Sequence, residues 1–202
     1  MSEDRATQRF LVRLPIVLAL VMLGWYLARP ALDSAITGLA EVLVRAFEYP
    51  RVTTLVSVDH FAQVQRSDFR SNSVIPAISL TENHFNTIVL LALYLSLPKP
   101  FSRRQLERLF MGWCILYLTQ VFNLVLHVKC IYAFNLGEWS DAMYSGLARN
   151  VFGYLRYFTD LPGRFSFPFL IWLGFNWDLV SRLMSIPGVE PESAGRTKRK
   201  KR

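Results

Sequence analysis

LFMGWCILYLTQVFNLVL, Leu109 to Leu126, decides how this chain is read. The stretch carries no charged residue, and its apolar character persists to Phe134. Roughly 20 mostly apolar residues span the hydrocarbon core of a bilayer as a helix, so this run reads as a membrane crossing. Three weaker runs surround it. Phe10–Leu27 is interrupted only by Arg13, which lies near the amino end and can snorkel to the interface, while Trp25 and Tyr26 fall where aromatic belts form. The following Ala28-Arg29-Pro30 offers no small-residue cleavage pattern, so an uncleaved helix is read rather than a signal peptide. Residues 83–97 form a short apolar segment that stops at Pro98-Lys99-Pro100. Phe165–Trp177 is the fourth, with Pro168 inside it.

Composition agrees with a membrane protein. The 202 residues are 52% hydrophobic and 19% charged, below the roughly 25% charged share of soluble domains. Two cysteines exclude a disulfide framework, and no CxxC pair or Cys/His cluster has zinc spacing. No Gly-rich phosphate loop or GxSxG elbow is present. Neither a metal nor a cofactor is expected.

The expected fold class is an all-α integral membrane protein of about four transmembrane helices, near 10–27, 83–97, 109–134 and 165–180. Three crossings are the alternative, because the second and fourth runs are short enough to be re-entrant. Residues 1–182 form one helical membrane domain, with outer segments 28–82 and 135–164, and 183–202 form a basic disordered tail. Charge sets the orientation. With the amino terminus inside, 14 basic residues fall in inner segments and 8 in outer ones, the positive-inside pattern. The inner set includes the carboxyl-terminal RTKRKKR block, which meets anionic lipid. An N-in, C-in, four-helix topology follows. Nucleic acid is not expected as a partner, since nothing else in the chain supports it.

Between the crossings, Leu32, Ile36, Leu39, Leu43 and Phe47 recur at helical spacing and predict an interfacial amphipathic helix over 31–47. Arg51–Arg66 is dense in Val and Thr and predicts strands, continuing through Ser71–Leu80 as a two- or three-stranded element. In 137–160, Trp139, Met143, Leu147, Val151 and Leu155 repeat every four residues, predicting a second interfacial helix capped by Ser140 or Asp141.

Chemistry, if any, is expected on the third crossing. Gln120, Asn123, His127 and Cys130 share one helical face, with Lys129 beside them. Two readings stand. In one this is a polar site, with His127 carrying protons or Cys130 acting as nucleophile. In the other the amides and imidazole bond across helices as glue, worth about 0.6–2 kcal/mol each. Cys114 and Cys130 lie about 24 Å apart along a straight helix and cannot pair. Cys114 is expected to be a small buried apolar residue.

The order of parts, and above all NHFNTIVLLALYLSLPKPFSRRQLERLFMGWCILYLTQVFNLVLHVKCIYAF over residues 83–134, resembles the membrane proteins associated with exosortase H. These are small bacterial proteins found alongside the exosortase transpeptidases. The shared features are an Asn-led short span, a Leu-Pro stop and a basic turn, so Asn83 and Asn86 are the positions carried over. The resemblance implies a non-catalytic, multi-pass accessory protein of a bacterial inner membrane, with a membrane-protein partner for which an exosortase is the candidate. A likeness to exosortases themselves would imply a thiol transpeptidase using a Cys, one or more Arg and a later His. Cys130, Arg149 and Arg156 occur in that order, but His127 precedes the cysteine and no histidine follows it. A small transporter subunit lined by Gln120, Asn123 and His127 is the third alternative.

Overall fold

The computed structural model describes residues 2–68, 74–97 and 99–183. Helix α1 runs Ser2–Ala46, followed by strands β1 (Thr53–Val58), β2 (Phe61–Arg66) and β3 (Ala77–Ser79). Helices α2 (Leu80–His84) and α3 (Asn86–Leu95) lead to α4 (Arg103–Phe134), then α5 (Glu138–Met143) and α6 (Gly146–Phe158). A π turn at Thr159–Gly163 joins α6 to α7 (Arg164–Phe175), and α8 (Trp177–Leu183) follows. The basic tail from residue 184, with its RTKRKKR block, lies outside the described residues.

Among the described residues two helices are long and apolar enough to cross a membrane, within Phe10–Ala46 and Arg103–Phe134. The most apolar window of the first is only 11% buried. A core helix of a soluble protein would be mostly covered. Here Leu11, Ile16, Leu20, Leu23 and Leu27 stand exposed, joined by Phe110, Ile115, Leu118 and Phe122 of α4 and by Phe165, Phe169 and Leu170 of α7. Water does not tolerate an apolar belt of that extent on a monomer, whereas lipid does. Helices α3 and α7, with 10 and 12 residues, cover about 15 and 18 Å of a roughly 30 Å core.

Helix α1 corrects the expected division between a crossing at 10–27 and a separate interfacial helix at 31–47. It is one 45-residue rod with Pro15 and Pro30 inside it. A proline removes one amide donor and does not by itself end a helix whose other turns are supported by packing. Of the predicted stripe, Ile36 is buried and Leu32, Leu39 and Leu43 pack against the cores, while Phe47, just past the helix end, is 82% exposed. Asp33, Thr37, Ala40 and Val44 complete the buried face.

The predicted strands form, as an antiparallel sheet in the order β1-β2-β3. Ile78 opposes Ala62, and Leu55 opposes Val64. Leu55, Ala62, Val64 and Ile78 bury one face against Ile36, Ala40 and Val44 of α1 and Val121, Leu124 and Val128 of α4. A second core joins Leu90 and Tyr94 of α3 to Leu116 of α4, with Phe167, Ile171 and Trp172 of α7 packed on it. A third seats Ile88 against Val21 and Trp25 of α1.

One polar chain fastens the hairpin to α1. Trp25 Nε1 donates to His84 Nδ1 at 3.0 Å, which leaves His84 Nε2 to donate to Asp33 Oδ1 at 2.7 Å. The other carboxylate oxygen lies 2.6 Å from His60 Nδ1. Asp59 and His60 form the β1–β2 turn with φ of 48° and 66°. Two left-handed residues match the twist of the strands but favour Asn and Gly, so a histidine there carries strain that its bond to Asp33 offsets. Arg29 adds a bond to Thr81.

Residues 137–160 also depart from the single predicted helix. The chain breaks at Tyr144, and Ser145 caps α6 by accepting from Ala148 N. Ser140, predicted as the cap, instead donates to Tyr132 O and accepts from Leu136 N. Leu147 and Val151 remain exposed along α6, the amphipathic face an interfacial helix presents.

Asp33→Ala leaves the buried His84 and the partly exposed His60 without their shared acceptor. A loss of about 3 kcal/mol is expected, read as a lower unfolding midpoint in detergent and faster proteolysis within 53–66. Equal stability of Asp33→Ala and the parent would show that the chain Trp25–His84–Asp33–His60 does not hold the hairpin.

Candidate functional site

The site begins with a constraint on α4. Gln120 and Asn123 are 3% and 7% exposed on a helix whose neighbours are apolar, and a buried amide without partners costs about 1–3 kcal/mol. Both amides are paired. Gln120 Nε2 donates to Asn86 Oδ1 at 2.7 Å and to Thr87 Oγ1 at 2.8 Å, while the Gln120 backbone carbonyl accepts from Asn83 Nδ2 at 2.9 Å. Asn123 Nδ2 donates to Asn83 Oδ1 at 3.0 Å and to Asp160 Oδ1 at 3.1 Å. Its oxygen accepts from Thr159 Oγ1 at 2.7 Å. Asn83, Asn86, Gln120 and Asn123 are thus brought together.

His127, one turn further along α4, sets its Nε2 between both oxygens of Asp160 at 2.8 and 2.9 Å. Arg164 reaches Asp160 and Glu82, each at 3.3 Å, and Arg156 lies 3.5 Å from Asp160. The π turn makes this convergence possible. Its wider backbone, with Pro162 inside, offsets Asp160 from a regular helical position, a deformation found often at functional sites. Gly163 is required there, because a Cβ would meet Phe158 O at 2.9 Å and the Phe167 ring at 2.8 Å. Burial pushes the Asp160 carboxyl up, but His127, Asn123 and Arg164 together outweigh it and hold the group at about 2.

Two cavities open beside this centre. The first, of about 420 Å³, lies between β3, α4 and the arginines, lined by Ala77, Ser79, Asn123, His127, Arg156 and Arg164 among others. The second, of about 470 Å³, is lined by Cys130, Phe134, Gly153, Arg156, Asp160 and Arg164. Glu82, Arg156 and Arg164 border both.

The predicted candidates separate here. Cys130 is 2% exposed, and its thiol donates to Phe152 O at 3.4 Å. Arg156 shares the second cavity with it, whereas Arg149 pairs with Asp141 and lines neither cavity. Lys129 lies against the Tyr132 ring rather than in the site. Cys114 is half-buried, more open than expected, and both thiols are free. Asp160, Arg164, Thr159 and Glu82 were not singled out from the sequence. The signal was available: Arg156, Asp160 and Arg164 follow at intervals of four, a charge ladder on one helical face. Among the described residues no group of three or more His, Cys, Asp or Glu is placed to hold a metal ion.

Asp160 generates a pH prediction. A carboxyl held low contributes stability above its unfolded value near 3.8 and loses it as pH falls towards 2. Parent and Asp160→Asn are expected to differ by about 2 kcal/mol above pH 4, and to converge as pH approaches 2, by denaturant titration in detergent. A constant gap across that window would mean that the ionised carboxylate is not what binds His127 and the arginines. Gly163→Ala tests the turn separately and is expected to cost about 1–3 kcal/mol.

A family model described as exosortase H-associated membrane protein matches residues 4–179, and the chain belongs to that family. Neither a curated protein nor a solved structure matches the chain.

Proposed function

We propose that this member of the exosortase H-associated family is a non-catalytic, multi-pass inner-membrane protein that assists an exosortase-type sorting system through a membrane-protein partner. The family description supports the association with exosortase H and the membrane. The four-crossing, N-in and C-in arrangement is part of the proposal: the 14-to-8 distribution of basic residues supports it, and the two helices of crossing length account for two of its crossings.

One observation carries the non-catalytic reading. A cysteine nucleophile needs a thiolate and a base placed to generate it. The Cys130 thiol, in a residue 2% exposed at the wall of the second cavity, is bonded to a backbone carbonyl, and His127 Nε2 is committed to Asp160. The polar face Gln120, Asn123, His127 and Cys130 then acts as interhelical adhesive that fixes α2, α3 and the π turn on α4. The transporter alternative is not favoured, because the amides are spent on each other rather than aimed at a path.

Cys130→Ser and His127→Ala, at matched expression in a strain with a deletion phenotype, decide the chemistry. Cys130→Ser is expected to complement fully. Loss of complementation in Cys130→Ser with normal protein level would establish a thiol enzyme and overturn the accessory role. For the partner, reciprocal co-purification of the chain with the exosortase of the same host is expected to succeed from solubilised membranes. Alkaline phosphatase fusions test the arrangement: activity after His60 and Ser145 and none after Phe101 fits it, and the reverse pattern inverts it.

A further inference from the structure

The sheet has two edges, and carboxylates from α1 and the turn after it meet the outer row of one of them. On β1 the outward N–H groups are those of Thr53, Leu55 and Ser57. Glu48 Oε2 accepts the first at 3.0 Å and Glu41 Oε2 the second at 3.1 Å. On β3, Pro76 O accepts from Val64 N at 2.8 Å and Leu80 N donates to His60 O at 2.9 Å. In an antiparallel ladder the bonded residues alternate, so Ile78 also faces β2 while Ala77 and Ser79 turn their groups outward. The Ser79 carbonyl belongs to the first turn of α2, which this residue caps. That leaves the N–H and C=O of Ala77 and the N–H of Ser79. Among the described residues no side chain meets them.

This open edge is also a cavity wall. Pro76, Ala77, Ile78 and Ser79 line the 420 Å³ cavity, whose volume falls within the roughly 300–1,000 Å³ of ligand sites. Across from them stand Arg156 and Arg164, with Glu82 as the one carboxylate among that cavity's lining residues. The Nε of Arg164 is buried without a hydrogen-bond partner. Asp160, which offsets part of the arginine charge, lines only the second cavity and already accepts from His127 and Asn123.

We infer that this trough binds an extended polypeptide segment supplied in trans, which adds to β3 as a fourth strand and lays an acidic side chain against Arg156 and Arg164. Main-chain bonds to an exposed edge give such complexes their affinity, and pockets for alternate side chains give selectivity. A row of alternating donor and acceptor spaced for a strand selects a peptide backbone over a lipid headgroup, which presents no matching row. Arg164 is shared between Glu82 and Asp160 and Arg156 approaches Asp160, and each guanidinium keeps further N–H donors that select an acidic side chain over a basic one. The inference rests on the sheet and cavity alone and holds whether or not the partner belongs to a sorting system.

The test uses the full chain in phosphatidylcholine nanodiscs and a short blocked peptide of alternating Thr and Val with a central Glu, compared with its Lys-centred version. Residue-resolved amide exchange is expected to slow by about tenfold or more at Ala77 and Ser79 on adding the Glu peptide, with Ile78 and Leu80 unchanged. The Glu peptide is expected to bind about tenfold more tightly than the Lys peptide, a preference lost in Arg164→Gln. Ala77→Pro removes the outward donor without touching the β2 ladder and is expected to weaken both peptides. Unchanged exchange at saturating peptide, or amides of Ala77 and Ser79 already slow before peptide is added, overturns the inference. So does binding of phosphatidylglycerol vesicles that Arg164→Gln abolishes and Ala77→Pro leaves intact, with no peptide bound.

Discussion

Two amide side chains on one long helix set the terms for the rest of this molecule. Gln120 and Asn123 sit where α4 is surrounded by apolar groups, and an amide there must be paired or it destabilises the fold. Satisfying Gln120 requires Asn86 and Thr87 at the start of α3, and satisfying Asn123 requires Asn83, Thr159 and Asp160. The bonds therefore specify which elements dock on α4 and in what register. Apolar packing alone is permissive about register, because Leu and Ile slide past one another at little cost. Directional amide bonds are not. The same set brings the π turn close, and with it the arginines that border both cavities.

Much of this was legible in the residues and some was not. The apolar run through Leu126 and the 120/123/127/130 face identified α4 and its polar stripe, because helical periodicity is a local property. The Val and Thr density of 51–66 likewise announced the sheet. What failed was the division of α1, since Pro30 looks like a boundary when only the chain is read. Its tolerance depends on the hairpin packed over Ile36, Ala40 and Val44, which is tertiary information. The partners of the polar face were also hidden. Asp160 lies 37 residues from Asn123, and a π turn that no local propensity announces brings them together.

Asp33, His60 and His84 show the same limit from another side. Each looks ordinary in sequence: an acid on a helix, a histidine beside an aspartate in a turn, a histidine before an apolar run. In space one carboxylate joins two imidazoles from three elements, and Trp25 fixes which nitrogen of His84 bears the proton. The positive φ of His60 gains its meaning from that bond. A Gly there would relieve the turn and leave Asp33 with one partner fewer.

The two sheet edges differ in what meets them. Helix α1 extends well past its apolar half, and it and the turn after it bring Glu41 and Glu48 to the outer row of β1. Carboxylates there disfavour another strand, since the donors of Thr53 and Leu55 are used and the added charge repels a second backbone's carbonyls. Nothing equivalent is built at β3 among the described residues, although Glu82 and the arginines stand close enough to have served. Guarding one edge and leaving the other beside a charged cavity separates the role of support from that of recognition. The buried amides and the Asp33 chain hold the frame, so the open edge of β3 is a fixed surface rather than a frayed one.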